Sequence, residues 1–347
     1  MNQAHSVSSI NLALVGFGNV GRAFAEQLTQ RRDWLKSSLN LKPRVVGVAD
    51  RSGVVIDRDG LDVMALAKIK ASGGKLAEHS ASPKEIIEHF ATAEANIVVE
   101  TLPSNLTSQG EPAITFASES LTRGLHVVTA NKAVLLFAGS RLERLAAESG
   151  ARFMHSGATC AALPTLSFAR RELIGAEITE IRGILNGTTN YILTRMNEDG
   201  LSFEAALSEA QAAGIAEPDP RYDIEGWDSA VKLLILANVL MQAEAGFDDV
   251  VRRGLDALPA HLIEESRAAG GAIKLIAEAK RQDGQIKLSV SPQIVLPTES
   301  LFAVRGSNKA IEFRTDLYGT LLVAGGASSR TAVAATMLKD VIHAVCG

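Results

Sequence analysis

The sequence predicts an α/β fold, in which a doubly wound parallel sheet occupies residues 1–150 and an α+β domain follows. Short β-branched runs alternate with helical patterns along the first half of the chain, an order that favours a parallel sheet covered by helices. After about residue 150 this rhythm changes, and several strand-like runs follow one another without long helices between them. That second pattern is typical of a mostly antiparallel sheet.

The first half contains five strand-like runs, which are INLALVGFG, PRVVGVAD, ANIVVET, GLHVVTA and ARFMHS. The segments between them carry apolar residues at helical spacing, as Val20, Phe24 and Leu28 do in the first of these segments. Ser140 and Glu143 form a capping-box pattern. This pattern predicts that a helix over residues 140–149 closes the first domain.

In the second half, EITEIRGILNG is typical of a strand that runs into a turn. Two helices are predicted next, an amphipathic one over FEAALSEAQAAG that ends at Gly214 and a more apolar one over DSAVKLLILANVLMQ. Further strands are predicted for GQIKLSVSPQIV, LFAVRG, AIEFRT and LLVAGG, and a final helix for SSRTAVAATMLKDVIHAV.

Composition limits the classes of function. The 347 residues suffice for two domains, and the net charge of −4 without a Lys/Arg block argues against nucleic acid as a partner. The two cysteines, Cys160 and Cys346, are too few for a disulfide framework and lack metal-ligand spacing, so we expect no metal site and a reducing compartment. The polar N-terminus MNQAHSVSSI and the lack of a membrane-length apolar run predict a cytoplasmic protein that does not bind membranes.

A glycine-rich turn, Gly16-Phe17-Gly18-Asn19-Val20-Gly21, joins the first strand to the first helix. In this context the first glycine makes the turn, the second lets the backbone approach a pyrophosphate and the third permits close packing of helix on strand. Asp50 ends the next strand, where a carboxylate can accept the ribose hydroxyls of a dinucleotide. Asp50 favours NAD, whereas the neighbouring Arg51 could face a 2′-phosphate, so both NAD and NADP stay open.

A second motif, Thr129-Ala130-Asn131-Lys132, lies at the carboxyl end of the strand HVV. Ligands of open α/β sheets bind at this end of the strands, so Lys132 can reach a nicotinamide and the reacting oxygen. The alternative is a solvated surface lysine.

The stretch EPDPRYDIEGWDSAVK is rich in carboxylates and ends on one lysine. Its prolines exclude a helix interior, so Glu217 lies on a rigid loop. Asp228 and Lys232 are four residues apart at the start of the next helix and can pair, although such pairs are also common on surfaces. The upstream carboxylates exceed what one lysine needs, which indicates a ligand that carries an ammonium group.

The segments VGFGNVG, HVVTANKA, GILNGTTNYIL and AQAAGIAEPDPRYDIEGWDSAVKLLILA resemble the homoserine dehydrogenase family in order and spacing over nearly the whole chain. The resemblance implies a Rossmann domain over 1–150, a catalytic and dimerisation domain over 151–318, and a C-terminal segment over 319–347 that packs back on the Rossmann domain. It also implies interconversion of L-homoserine and L-aspartate 4-semialdehyde with NAD or NADP. The length matches the short form of the family, and the family is expected to be homodimeric.

The resemblance also implies roles for individual residues. Lys132 and Lys232 become the acid/base lysines, with Asp228 orienting the reacting end, and Glu217 and Asp223 hold the substrate ammonium. The turn at Asn186, Gly187 and Thr188 becomes the cradle of the substrate carboxylate, with a plain helix-capping turn as the alternative. The remaining expected cofactor contacts are Thr101, Leu102 and Asn131.

Four positions depart from the family pattern, and these are Ser156, Ile215, Lys309 and Arg330. Ser156 and Ile215 motivate one alternative, a dehydrogenase of another amino-acid-like alcohol or aldehyde. A second alternative is a non-catalytic regulator that binds a dinucleotide. The presence of both Lys132 and Lys232 argues against the regulator, because a sensor needs neither lysine.

Overall fold

The computed structural model describes residues 8–77, 81–256, 258–326 and 328–346, so residues 1–7 of the polar N-terminal stretch lie outside it. The chain divides into two compact units. The first comprises residues 1–158 and 329–347, and the second comprises residues 159–328.

The first unit contains a six-stranded sheet of order β3-β2-β1-β4-β5-β6. All pairings are parallel except the one between β2 and β3. Its strands are β1 (Ser8–Val15), β2 (Leu41–Asp50), β3 (Gly53–Ile56), β4 (Ile97–Glu100), β5 (His126–Thr129) and β6 (Phe153–Met154). The expected Rossmann-type sheet is therefore confirmed.

Helices cover this sheet, and they are α1 (Asn19–Gln30), α2 (Arg32–Leu39), α3 (Val63–Ala71), α4 (Pro83–Thr92), α5 (Ala113–Thr122) and α6 (Lys132–Ser149). Phe24 and Leu28 of α1 are buried against β1, as the helical spacing predicts. Helix α2 is inserted between α1 and β2, and it lengthens the segment that separates the glycine-rich turn from Asp50.

The second unit contains a six-stranded mixed sheet of order β12-β11-β7-β9-β10-β8. Its strands are β7 (Ile178–Ile184), β8 (Val250–Arg252), β9 (Ala272–Gln282), β10 (Gln285–Val295), β11 (Lys309–Thr315) and β12 (Gly319–Gly325). Only β8 and β10 pair in parallel, so the sheet is mostly antiparallel, as expected. Its helices are α7 (Leu166–Glu172), α8 (Gly187–Glu198), α9 (Phe203–Ala212), α10 (Arg221–Ile224), α11 (Trp227–Met241) and α12 (Ala260–Ala268).

The final helix α13 (Arg330–Cys346) belongs to the first unit. Its buried residues Ala334, Met337 and Val341 join the cluster that includes Leu12 and Phe24. The strand β12 pairs with β11, however, so the return to the first unit begins at Ser329 rather than at residue 319. Strand β12 completes a hairpin with β11, so the boundary between the two units falls after this hairpin.

Two predicted elements are wrong. Helix α6 begins at Lys132, because the Asn131 side chain caps it by accepting the N–H of Ala133 at 3.1 Å. Ser140 is exposed in the middle of that helix, where its capping pattern has no role. The run LFAVRG is not a strand, since Ser300–Ala303 form a short 3-10 turn that packs Leu301 against Ile184 and Ile276.

No helix in the described parts of the chain is long and apolar enough to cross a membrane. Within the same residues, no group of three or more His, Cys, Asp or Glu side chains has an arrangement that could hold a metal ion.

Candidate functional site

The glycine-rich turn lies between β1 and α1, where close contacts constrain two of its glycines. Gly16 adopts a φ of +90° and donates its N–H to the Ala49 carbonyl at 2.8 Å, which fixes the turn at the carboxyl ends of β1 and β2. A Cβ at Gly21 would lie 2.6 Å from the Gly16 carbonyl oxygen. A Cβ at Gly18 would meet nothing within 4 Å, and no side chain caps α1 at this residue. The turn thus fits a dinucleotide, because open space and uncapped helix N–H groups coincide where a pyrophosphate binds.

Asp50 lies at the end of β2 with its carboxylate already held by neighbours. Its oxygens accept the N–H of Ser52 at 2.7 Å and pair with the Lys70 ammonium at 2.7 Å. Burial acts to raise the pKa of Asp50, but the hydrogen bonds from Lys70 and Ser52 outweigh it and hold the pKa below its ordinary value. The carboxylate is therefore fixed in orientation at this end of the sheet, and Arg51 beside it is exposed.

Glu100 joins the two loops that follow β4 and β5. The carboxylate is 1% exposed, and it accepts hydrogen bonds from the Leu102 N–H at 2.6 Å and the Thr129 hydroxyl at 2.5 Å. The Asn131 side-chain amide lies 3.4 Å from the same carboxylate. Burial raises the pKa of Glu100 to about 7, despite these hydrogen bonds. One buried acid thus holds Leu102 and Asn131, which the sequence predicts as cofactor contacts.

The other two expected contacts of this region are tied to the same loops. The Thr101 hydroxyl donates to the Gly16 carbonyl at 2.8 Å, which attaches the β4 loop to the glycine-rich turn. The backbone N–H of Lys132 donates to the Ser104 hydroxyl at 3.0 Å, at the first residue of α6. The structure therefore gathers the sequence-predicted residues of the first unit at the carboxyl edge of its sheet, which is where ligands of such sheets bind.

Lys232 and Asp228 form a buried ion pair on α11 of the second unit. The Lys232 Nζ lies 2.5 Å from Asp228 Oδ2, and both side chains are about a tenth exposed or less, at 11% and 7%. The same Nζ donates to the Leu185 carbonyl oxygen at 2.8 Å. This pair is not the common surface ion pair, because its partners are withdrawn from water and hold each other in one geometry.

Asn186 connects this pair to the carboxylate of Asp223. Its side-chain amide nitrogen donates to Asp223 Oδ1 at 2.7 Å and to Asp228 Oδ2 at 2.8 Å, while its Oδ1 accepts the N–H of Thr189. Burial raises the pKa of Asp223, and the nearby charge of Asp228 raises it further. Two carboxylates and one lysine therefore share a single, largely buried polar network.

The turn at Gly187 and Thr188 opens helix α8 directly after that network. A Cβ at Gly187 would lie 2.7 Å from the Ser307 carbonyl oxygen, so the backbone there needs glycine. The Thr188 hydroxyl donates to the Ile215 carbonyl at 3.1 Å, which fastens the turn to the segment before the proline-rich loop. Asn186 caps the helix, so the capping role and a ligand role for the following N–H groups are compatible.

The remaining carboxylates of the acidic stretch lie outside this network. Glu217 is exposed, Asp219 pairs with the exposed Arg221 at 2.6 Å, and Glu225 accepts the indole N–H of Trp227 at 3.1 Å. The structure thus brings Asp223, Asp228 and Lys232 together and leaves Glu217 at the surface of the same unit.

The sequence did not predict two buried charged residues, Glu100 and Lys309, as members of a site. Glu100 ends the apolar strand IVVE, and an acid at the carboxyl end of a buried strand is a signal that could have found it. Lys309 was noted only as a departure from the family pattern, and the structure buries it at 2% exposure at the start of β11.

The chain matches known proteins over nearly its whole length. The family model for the homoserine dehydrogenase NAD-binding domain matches residues 16–156, and the model for homoserine dehydrogenase matches residues 164–342. A homoserine dehydrogenase of Methanocaldococcus jannaschii is 39% identical over 336 residues, covering 96% of this chain and 98% of that protein. An NAD(+)-dependent homoserine dehydrogenase of Pseudomonas canavaninivorans is 38% identical, covering 97% and 96%.

Solved structures agree with these matches. A homoserine dehydrogenase crystal structure from Thiobacillus denitrificans has a TM-score of 0.81 and 28% identity, covering 98% of this chain and 74% of that one. A hyperthermophilic archaeal homoserine dehydrogenase mutant in complex with NADPH has a TM-score of 0.80 and 27% identity, covering 97% of this chain and 98% of that one.

Two glycine substitutions should separate packing from ligand approach in the glycine-rich turn. Gly21→Ala should lower the free energy of unfolding by about 1–3 kcal/mol, because its methyl group meets the Gly16 carbonyl. Gly18→Ala should leave the melting temperature nearly unchanged and weaken dinucleotide binding, since its methyl group occupies open space at the helix N-terminus. Thermal unfolding and fluorescence titration with NAD measure the two effects. Unchanged binding by Gly18→Ala would contradict this account of the turn.

Glu100 should give the protein a specific pH dependence of stability. The folded-state pKa of about 7 exceeds the ordinary value of 4.5, so the stability that Glu100 contributes is complete below pH 4.5 and is lost as the pH rises to 7. Relative to Glu100→Gln, the wild-type free energy of unfolding should fall by about 3 kcal/mol over that range and then level off. Urea unfolding of both proteins from pH 4.5 to 8 measures this difference. Parallel stability curves would show that Glu100 is not a buried acid of this kind.

Proposed function

Because the chain belongs to the homoserine dehydrogenase family, we propose that Lys232 is the acid/base group with which it interconverts L-homoserine and L-aspartate 4-semialdehyde. The protein is an NAD(P)-dependent oxidoreductase that acts on a CH–OH group. The observation that carries the proposed role is the buried pair of Lys232 and Asp228, which presents an amine in a fixed orientation. Lys132, at the carboxyl edge of the first unit's sheet, is proposed as a second acid/base lysine that also contacts the cofactor.

Oxidation of the alcohol requires a base for the hydroxyl proton and an acceptor for the hydride. A nicotinamide held by the first unit would supply the hydride acceptor for the alcohol carbon. Lys232 in its neutral form takes the hydroxyl proton, and Asp228 holds its Nζ by the 2.5 Å contact while the Leu185 carbonyl fixes it from a second direction. In the reverse direction the Lys232 ammonium returns this proton to the oxygen of the aldehyde.

The amino-acid end of the substrate needs partners for an ammonium and a carboxylate. Asp223 supports the first role, because it is a partly buried carboxylate beside Asp228, and Glu217 is proposed as the exposed second acid. The N–H groups of Gly187 and Thr188 support the second role, since they lie at the N-terminus of the 12-residue helix α8. Asn186 then holds the proposed ammonium-binding acid Asp223 beside Asp228, because its amide donates to both carboxylates.

In the first unit, we propose that the Gly16–Gly21 turn holds the pyrophosphate and that Asp50 accepts the ribose hydroxyls. The remaining proposed cofactor contacts are Thr101, Leu102, Asn131 and Lys132. The orientation of Asp50 suits NAD, whereas Lys70 and Arg51 are the cations at the same strand end that suit a 2′-phosphate. Both NAD and NADP are therefore the cofactors to test. Cys160 and Cys346 are both thiols in the structure, which supports the proposal that the protein works in the reducing cytoplasm.

We also propose that the chain forms a homodimer through the sheet of its second unit. One face of this sheet carries a row of paired residues in which Leu322, Glu312, Arg182 and Glu278 lie side by side on adjacent strands. Opposite charges alternate along the row, and Leu322 is 43% exposed at its end. Such a row is complementary to a second copy related by a two-fold axis.

The activity is tested by following the absorbance of reduced nicotinamide with purified protein, L-homoserine, and NAD or NADP in separate reactions. An increase with either cofactor supports the proposal and identifies the preferred dinucleotide. No increase with either one, in protein that binds the dinucleotide, would move the assignment to another amino-acid-like alcohol. A panel of such alcohols would then identify the substrate.

Lys232→Ala should lower kcat by about 100-fold or more, because the reaction loses its acid/base group, while cofactor affinity stays near wild type. Steady-state kinetics and a separate dinucleotide titration measure the two quantities. Lys280→Ala is the matched control, since Lys280 is a lysine of the same unit that is 38% exposed and lies 3.6 Å from Glu180. An unchanged rate in Lys232→Ala would remove Lys232 from the mechanism.

Leu322→Lys should shift the protein from dimer to monomer without unfolding it, because it adds a charge at an exposed edge of the proposed interface. Sedimentation equilibrium measures the mass of the assembly. Ile69→Lys is the control, since Ile69 is 42% exposed but lies in the first unit. A wild-type chain that sediments as a monomer, or a Leu322→Lys variant that remains dimeric, would overturn this choice of interface.

A further inference from the structure

Arg252, the last residue of β8, contacts the junction between α10 and α11. Its Nη1 donates to the Glu225 carbonyl oxygen, and its guanidinium carbon lies 3.8 Å from the centroid of the Trp227 ring. A Cβ at Gly226, whose φ is +83°, would lie 3.6 Å from the Arg252 Cγ, so the stem of this side chain lies along the junction. One arginine thus contacts three consecutive residues where the two helices meet.

The ring of Trp227 is fixed from further directions. Its indole N–H donates to Glu225 Oε2 at 3.1 Å, and the Phe247 ring meets it edge-on with the ring centroids 6.3 Å apart. A guanidinium above an indole face is attracted by the ring quadrupole, while its N–H donors remain available to a carbonyl in the guanidinium plane. Arg252 therefore holds the ring and the backbone of the junction at the same time.

The backbone after Arg252 is attached to the same junction. The N–H of Leu255 donates to the Ile224 carbonyl at 2.7 Å. A Cβ at Gly254 would lie 2.5 Å from the Cα of Glu225, so the two backbones are in close contact there. Because β8 pairs with β10, these contacts join the junction to the edge of the sheet.

The junction connects two acids of the proposed substrate site. Asp223 lies in α10 and Asp228 in the first turn of α11, and the Asn186 amide donates to both carboxylates. Asp228 is buried on α11 and pairs with Lys232 at 2.5 Å, whereas none of the four residues of α10, all of which the structure describes, is buried. Packing in the second unit therefore holds Asp228, while Asp223 depends on the contacts of the junction.

We propose that Arg252 is a positioning residue that holds α10, so that the Asp223 carboxylate is kept in place for the ammonium group of the substrate. The inference rests on the proposed role of Asp223 in binding L-homoserine. The proton transfer proposed for Lys232 does not involve Arg252. Loss of Arg252 should therefore weaken substrate binding without slowing the turnover of bound substrate.

Arg252→Met removes the guanidinium and keeps most of the apolar stem. We expect the KM for L-homoserine to rise about tenfold, with kcat within about twofold of wild type and the KM for the dinucleotide unchanged. Steady-state kinetics of homoserine oxidation measure these three values. A merely structural defect would instead lower kcat through loss of active enzyme and leave the homoserine KM unchanged.

Asp223→Asn shows whether Arg252 acts through Asp223. This substitution should itself raise the homoserine KM, because it removes the charge that is proposed to pair with the substrate ammonium. In the double variant Asp223→Asn/Arg252→Met, the second substitution should raise KM by less than about twofold, since the carboxylate that Arg252 positions is gone. Independent, multiplying effects of the two substitutions on KM would overturn the proposal.

Arg253→Met is the matched control, because Arg253 is the next residue in the chain and is exposed. Its substitution should leave the homoserine KM and kcat at their wild-type values. An equal rise of KM in this control would overturn the proposal, since loss of any nearby positive charge would then suffice.

A folded Arg252→Met variant with the wild-type homoserine KM would also overturn the proposal. If that variant does not fold, Arg252→Lys decides, because an ammonium retains the charge but lacks the planar fork that contacts both ring and carbonyl. Its homoserine KM should rise at least about threefold, and a wild-type value would contradict the role of Arg252. Failure of the underlying function is distinguishable, because the wild-type protein would then lack homoserine oxidation or Asp223→Asn would leave the KM unchanged.

Discussion

Burial of charge is the constraint around which the second unit is organised. Asp228 and Lys232 are placed together at the beginning of α11, where burying either charge costs free energy unless fixed partners hydrogen-bond to it. The partners come from the turn between β7 and α8, where the Leu185 carbonyl accepts the lysine and the Asn186 amide donates to the aspartate. The end of a strand, the cap of one helix and the first turn of another must therefore meet at one point. The geometry required for the proposed catalytic role follows from this requirement, because groups that satisfy each other in low dielectric are also held in one orientation.

The first unit meets the same requirement with a single acid. Glu100 has no lysine or arginine among its hydrogen-bond partners in the described chain, and it is compensated instead by the N–H and hydroxyl donors of the loops after β4 and β5. The raised pKa of Glu100 shows that these donors do not fully offset the cost of burying its charge. The acid ties these two loops together, and the hydrogen bond from the Lys132 N–H to the Ser104 hydroxyl joins them a second time. Both loops carry residues that are proposed as cofactor contacts.

Local patterns allowed much of this to be predicted from the sequence, and failures occurred where distant parts of the chain decide. The glycine-rich turn and the i, i+4 pairing of Asp228 with Lys232 depend on residues close in sequence, so spacing alone identified them. The capping pattern at Ser140 was misleading because Asn131 had already started the helix, and a helix continues through a capping sequence when its apolar face is buried. Asp283-Gly284, a hairpin signal with two positive φ values, was overlooked between β9 and β10. Glu100 carried a local signal at the end of its strand, whereas Lys309 could not be assigned because its partner Cys160 lies 149 residues away in sequence.

The acidic stretch before α11 shows how burial sorts residues that look equivalent in sequence. Its five carboxylates share one composition, yet only Asp223 and Asp228 lie within reach of the Asn186 amide. The prolines at 218 and 220 keep Glu217 and Asp219 on an irregular loop. Gly226, with a φ of +83°, turns the chain so that α11 begins at Trp227, one residue before Asp228. The surplus of negative charge is therefore divided between an exposed loop and a buried pair. For the proposed binding of an ammonium-bearing substrate, Glu217 therefore offers an exposed carboxylate, whereas Asp223 and Asp228 offer carboxylates that the Asn186 amide holds in a fixed orientation.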